Sequence, residues 1–218
     1  MTGNNIDNII RILQKEVKKW EVPAVTKVAQ KTTDPFKILI SCVLSLRTKD
    51  VTTAAASIRL FSLASTPDEM LKIPAGTIEK AIYPVGFYRT KARDIIEICR
   101  TLINYHNSTV PDSIDELLKL KGVGRKTANL VVTIAYDKDG ICVDTHVHRI
   151  SNRLGYIMTK TPEQSEKALR GKLPRKYWKI YNDLLVTFGQ NLCKPISPLC
   201  SQCKIAEYCR RIGVSTSR

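Results

Sequence analysis

Residues 120–129 read "LKGVGRKTAN" and run directly into "LVVTIAY" at 130–136. Gly122 and Gly124 flank Val123, and Arg125 and Lys126 follow at once. Glycines so placed mark a backbone that takes positive φ or lies close to something bulky. The apolar run behind them places the start of a buried helix. With "ELLKLK" ahead, residues 116–136 read as helix, tight glycine turn, helix. Backbone N–H groups at Gly122, Gly124 and the second helix's N-terminus would then point outward at an anion. Lys119, Lys121 and Arg125 surround that turn with positive charge. Two capping glycines between ordinary helices would leave the same letters, so the turn alone does not decide its use. A nucleotide phosphate loop is a poor alternative, because Arg125 interrupts the Gly-Lys step and Lys119 stands where the upstream glycine belongs.

Lys126 is badly placed for a residue that only confers solubility. The positive end of the helix dipole and the apolar helix behind it both disfavour a cation there. Both favour the neutral amine, which is a nucleophile toward a carbon that can become an iminium. Such chemistry needs a carboxylate, and "CVDTHVHRISNRLG" at 142–155 offers Asp144 directly before a helix with Val147, Ile150 and Leu154 on its inward face. Asp at that position is a common N-cap. A capped carboxylate can also stabilise positive charge developing on a sugar, and Asp144 is read in both roles.

The surrounding composition sets the class. The 218 residues suffice for one large or two small domains with a proper core. Lys and Arg number 35 against 20 Asp and Glu, a formal charge of +15, and the pI is near 9.6. That balance suits a polyanion-binding protein, nucleic acid above all. Apolar residues recur at three- and four-residue steps over 36–46, 51–61, 92–105, 125–136, 145–154 and 177–188, while alternating strand patterns are absent. The Asp34-Pro35, Thr66-Pro67, Thr161-Pro162 and Leu173-Pro174 pairs mark helix starts. The expected fold is all-α. The N-terminal stretch carries Ile6, Ile9, Ile10, Leu13, Val17 and Trp20 at amphipathic spacing, unlike a signal peptide's continuous apolar run. No stretch approaches the ~18 apolar residues of a membrane span. These features predict an intracellular, cytoplasmic, nucleoid-associated protein, monomeric and without a membrane partner.

Cysteine usage points the same way. Four of the seven cysteines fall in the last 26 residues, as C-x6-C-x2-C-x5-C at Cys193, Cys200, Cys203 and Cys209. In an intracellular chain that clustering suggests metal rather than disulfides. Read from spacing alone, the array could hold zinc or an iron–sulfur cluster. Cys42, Cys99 and Cys142 sit inside apolar stretches and read as inert core residues.

Residues 116–136 resemble the helix-hairpin-helix motif, which holds a DNA backbone without reading sequence. "LKGVGRKTAN" with "VDTHVHRISNRLG" and the cysteine array together resemble the endonuclease III family of helix-hairpin-helix DNA glycosylases. The similarity runs from "DPFKILISCVLSLRTKD" at 34–50 through Cys209, most of the chain. The resemblance implies two domains: a six-helix domain over 28–138, and a second formed by 1–27 and 139–218 that carries a [4Fe–4S] cluster on Cys193, Cys200, Cys203 and Cys209. The hairpin and catalytic groups would line the cleft between them.

It also implies roles. Lys126 matches the catalytic lysine that attacks C1′, expels the base and leaves a Schiff base before β-elimination nicks the strand. Asp144 matches the aspartate that assists base departure. Adenine- and thymine-mismatch relatives lack a lysine there, so Lys126 favours a combined glycosylase and abasic-site lyase acting on double-stranded DNA with damaged pyrimidines. DNA contacts are expected from Lys121, Gly122, Val123, Gly124 and Arg125 in the hairpin, and from Thr145 and His146 beside Asp144. Arg47 and Asp50 in "SLRTKD", Phe87 in "VGFYRTKA" and Lys194 in "KPISPL" complete the expected interface. Arg47 departs from the glutamine of many relatives, and Phe87 stands where they usually carry a leucine wedge; a packed core aromatic is the other reading of Phe87. Two different readings stand beside this one. One is a non-enzymatic DNA-binding module with a four-cysteine metal or redox-sensing site. The other is a monofunctional mismatch glycosylase.

Overall fold

Proline at the first helical position, behind a capping side chain, starts three helices. Asp34 caps α2 (Pro35–Ser45) by accepting from the Phe36 amide at 2.9 Å. Thr66 caps α4 (Pro67–Leu71), and Thr161 caps α10 (Pro162–Lys172), each accepting from the amide three residues on. At Leu173-Pro174, by contrast, the expected helix is delayed. A single 3₁₀ turn, Arg175–Tyr177, comes first, and α11 runs over Trp178–Asn191.

The computed structural model describes residues 3–21 and 32–218. Among them no strand is formed, and the fold is all-α. No described helix is long and apolar enough to cross a membrane. The chain divides into two compact units, one made of Met1–Pro23 with Ile141–Arg218, the other of Ala24–Gly140. The boundary expected at residue 28 lies outside the described residues, and the second break falls after Gly140 rather than after 138.

The continuous unit contains α2, α3 (Asp50–Phe61), α4, α5 (Ala75–Ile82), α6 (Tyr88–His106), the short α7 (Ile114–Leu117) and α8 (Arg125–Ala135). Its centre is α2, where every residue from Ile38 to Leu44 is buried. Helix α8 packs on it, with Thr127, Ala128, Val131 and Val132 buried. Burial of Val131 and of Val132 contributes about 1.5–3 kcal/mol each relative to exposure, which anchors the hairpin's second helix.

In the discontinuous unit, α1 (Gly3–Glu16) buries Ile6, Ile9, Ile10 and Leu13 in one core. That core also takes Val147, Ile150 and Leu154 from α9 (Thr145–Arg153) with its following turn, and Leu184, Leu185 and Phe188 from α11. The inward face expected for α9 is the buried one. The cysteine-bearing tail holds two 3₁₀ turns, Cys200–Gln202 and Ala206–Tyr208, and Cys193, Cys203 and Cys209 pack against the same core.

Candidate active site

In the hairpin the two glycines serve different ends. Gly122 has φ +73°, the left-handed region, and a Cβ there would lie 3.0 Å from an Asp94 carboxylate oxygen. The chain itself requires that glycine. Gly124 has extended backbone (φ −99°, ψ 177°), and a Cβ on it would meet nothing within 4 Å. It stands as the N-cap of α8 with no side chain capping the helix. The first amides of a helix have no partner inside it, so this end presents donors and a positive dipole beside an exposed glycine.

The hairpin side chains sort by exposure. Lys121, Arg125 and both glycines are exposed, and Lys126 is half-buried. Val123 is only 6% exposed and its amide donates to Leu120 O at 3.2 Å, so its side chain belongs to the core and its N–H to the turn. Lys119 adds less charge than expected, because it pairs with Glu116 at 2.6 Å. The Lys126 charge is felt at the buried Cys42 thiol, which burial pushes up to about 12 while the ammonium pulls the other way. Lys126 itself stands on the first turn of α8.

In the same unit, Arg47 and Phe87 both adopt left-handed backbone, at φ +52° and +59°. The Arg47 guanidinium lies over the Phe87 ring, 5.5 Å from its centroid. Phe87 is 62% exposed, so the core-aromatic reading does not hold. Asp50, half-buried, opens α3, where a carboxylate favours the helix dipole.

In the discontinuous unit Asp144 is the N-cap of α9. Its Oδ1 accepts from the amides of His146 and Val147, both at 2.9 Å. Both bonds fall on one oxygen, so the cap does not use the other. Thr145 is exposed, while His146 Nδ1 accepts from Arg149 at 3.1 Å.

Arg149 and Arg153, one turn apart on α9, were not legible as site residues. Arg149 donates to the carbonyls of Gly189 at 3.3 Å and Cys193 at 2.9 Å. Burial lowers the pKa of its guanidinium, with Arg153 adding to the effect and Cys193 and Asp144 opposing it. Arg153 donates to Lys194 O at 2.7 Å and Pro195 O at 2.6 Å, and reaches Cys193 Sγ at 3.5 Å. The signal available was their i, i+4 spacing behind Asp144; the partners are forty residues away.

Cys193, Cys200, Cys203 and Cys209 all line one cavity, with Phe188 and Ile205 among its apolar walls. Burial, reinforced by the other three sulfurs, pushes the Cys203 thiol up to about 11, and burial raises Cys209 likewise. Among the described residues no three His, Cys, Asp or Glu side chains form a single-ion site. Donors nevertheless reach the sulfurs: Arg153 on Cys193, and the Arg211 amide on Cys209 at 3.4 Å. Lys194 is half-buried, and its carbonyl is held by Arg153. The remaining cysteines, Cys42, Cys99 and Cys142, are buried as expected.

Known proteins match this arrangement. The model of the HhH-GPD superfamily of base excision DNA repair proteins matches residues 40–175. The endonuclease III of Thermotoga maritima is 49% identical over 179 residues, covering 82% of this chain and 84% of its own. A solved non-covalent endonuclease III–DNA complex has a TM-score of 0.86 at 35% identity, covering 97% of this chain and 96% of that one. A trapped endonuclease III–DNA covalent intermediate has a TM-score of 0.85, also at 35% identity, covering 97% of each chain. The chain belongs to the endonuclease III family of the HhH-GPD base excision DNA repair superfamily.

Proposed function

We propose that this protein is a DNA glycosylase with abasic-site lyase activity, removing damaged pyrimidines from duplex DNA through Lys126. The observation that carries the reading is a half-buried lysine on the first turn of the helix behind an uncapped glycine hairpin. Lys126, once it has given up its proton, attacks C1′, and the glycosidic C–N bond breaks with its electron pair leaving on the base. The C1′–O4′ bond then breaks as the attached nitrogen gives a proton to O4′, and an open-chain Schiff base results. Removal of a C2′ proton then breaks the C3′–O bond and nicks the strand. Asp144, held by its cap, stabilises the positive charge on the sugar as the base departs. A monofunctional glycosylase has no use for an amine at 126.

Base release requires the nucleotide to leave the helix, and Arg47 and Phe87 are the side chains assigned to the gap. Their exposure and shared stacking suit that task. Gly122, Gly124, Lys121 and Arg125 hold phosphates without reading bases, while Val123 contributes by packing. Asp50, Thr145 and His146 are assigned to the surroundings of the extruded base, and Lys194 to the backbone.

The four cysteines would hold a [4Fe–4S] cluster. Sulfurs spread around a cavity, with N–H donors directed at two of them, suit a multi-iron group better than one zinc ion. Such a cluster supplies cross-linking of the tail to the core rather than a reacting atom.

Borohydride reduction on lesion-containing duplex tests the reading. A covalent protein–DNA adduct should form and vanish in Lys126→Ala, with DNA affinity kept. An undiminished adduct in that variant puts the nucleophile elsewhere.

A further inference from the structure

The two assigned gap-filling residues share an unusual backbone. A left-handed conformation costs a non-glycine residue roughly 1–2 kcal/mol, and persists only where the surroundings over-determine it. Arg47 and Phe87 both adopt it, on separate loops. Beside them lies a buried lysine, Lys91, whose side chain bonds the residues on either side of Arg47.

Lys91 lies on the first turn of α6 and is 5% exposed. Its ammonium donates to Leu44 O at 2.9 Å, to Leu46 O at 2.5 Å and to Thr48 Oγ1 at 3.1 Å. The two carbonyls belong to the C-terminal end of α2, where a cation suits the negative end of the dipole. Thr48 Oγ1 donates to Leu46 O at 3.1 Å and accepts from the Gly86 amide at 3.2 Å. With the lysine, that uses its one proton and both lone pairs. A Cβ at Gly86 would lie 2.5 Å from Arg47 O, so the two loops meet backbone to backbone. Phe87, the residue before α6, accepts the first bond of that helix, from the Lys91 amide at 3.0 Å.

One side chain therefore grips both neighbours of Arg47, and through Thr48 Oγ1 it reaches the Gly86 amide beside Phe87. We propose that Lys91 is a positioning residue for base extrusion, holding the 46–48 and 86–87 loops so that Arg47 and Phe87 project together before DNA arrives. The inference rests on the assignment of those two side chains to the gap. Burial lowers the Lys91 ammonium to about 8, the direction expected of a cation whose hydrogen-bond partners are uncharged. A buried cation is a costly way to fasten two surface loops, and its presence there suits a demand for exact placement.

The test compares two substrates that differ in their need for extrusion. A lesion in duplex DNA must be flipped and its gap filled; an abasic site in a single strand needs neither. Lys91→Met should lower excision from duplex by about 10–100-fold, with single-strand abasic cleavage by Lys126 changed less than about threefold. Thr48→Val, a smaller lesion in the same network, should show the same split if Lys91→Met folds poorly. In an Arg47→Ala/Phe87→Ala background, Lys91→Met should add little, because it acts through those residues. Equal losses on both substrates, or an undiminished further loss in that background, would overturn the proposal. Full duplex activity of Arg47→Ala/Phe87→Ala would remove the gap-filling assignment itself, and no adduct from the unmodified protein would remove the catalytic reading.

Discussion

Arg149 links the helix capped by Asp144 to the carbonyl of Cys193, 2.9 Å from its guanidinium. The same group bonds Gly189 O and His146 Nδ1, so three parts of the unit converge on one charge. Its Nε is buried without a partner. The arrangement ties the start of the cysteine tail to the residues beside Asp144.

Replacing Arg149 with Met should therefore cost more than an ordinary surface change. Two carbonyls lose charged donors worth about 1.5–3 kcal/mol each in context, offset in part by relief of guanidinium burial. We expect a net loss of about 2–4 kcal/mol by denaturant titration. A change under 0.5 kcal/mol, the range of ordinary surface substitutions, would show that the link bears no weight.

Asp144 can be tested so that cap and chemistry separate. Asparagine is as good a cap as aspartate, whereas alanine is not. Asp144→Asn should keep the melting temperature near that of the unmodified protein and slow base release by about 100-fold or more. Asp144→Ala should add a loss of about 1 kcal/mol in stability. Normal turnover in Asp144→Asn would leave the residue as a cap alone.

The two hairpin glycines should respond oppositely. Gly122→Ala meets both a left-handed backbone and the Asp94 carboxylate, so it should lose at least about 1 kcal/mol of stability. Gly124→Ala has room within the chain and an extended backbone. Its effect should appear in DNA affinity, where a methyl would stand between the amides and a phosphate. Unchanged affinity, with unchanged salt dependence, would take Gly124 out of the interface.

For the tail, Cys203→Ala should remove visible absorbance of the cluster and lower the stability of residues 193–218 to proteolysis. The segment holds only two 3₁₀ turns of regular structure and has little else to fold around. An equally protease-resistant tail in a colourless variant would show that the packing of Ile205 and Leu199 suffices.

Much of this was readable because the signals are local. Proline at 35, 67 and 162 acts within one turn, and each starts a helix. Gly122 needs its backbone region for the turn itself, a requirement set within a few residues. What escaped depends on distant partners. Helix α6 begins at Tyr88, four residues ahead of the apolar periodicity, because Phe87 turns left-handed there and fixes the entry. Lys91, in a polar run, looks like any solvent lysine; only α2's carbonyls show otherwise. The hairpin's first helix is a single turn, Ile114–Leu117, since "KLKG" must already bend toward Gly122.

The discontinuous unit has a consequence for how the chain is made. Helix α1 buries Ile6, Ile9, Ile10 and Leu13 against residues of α9 and α11, far along the chain. At a ribosomal rate of 5–20 residues per second, those side chains wait roughly ten to thirty seconds for α11 to be synthesised. The continuous unit, 24–140, can fold in that interval. During it, an amphipathic helix with no core of its own is the nascent chain's point of exposure to chaperones, and substitutions that lengthen translation before Trp178 should show first as lower yield rather than as lower stability.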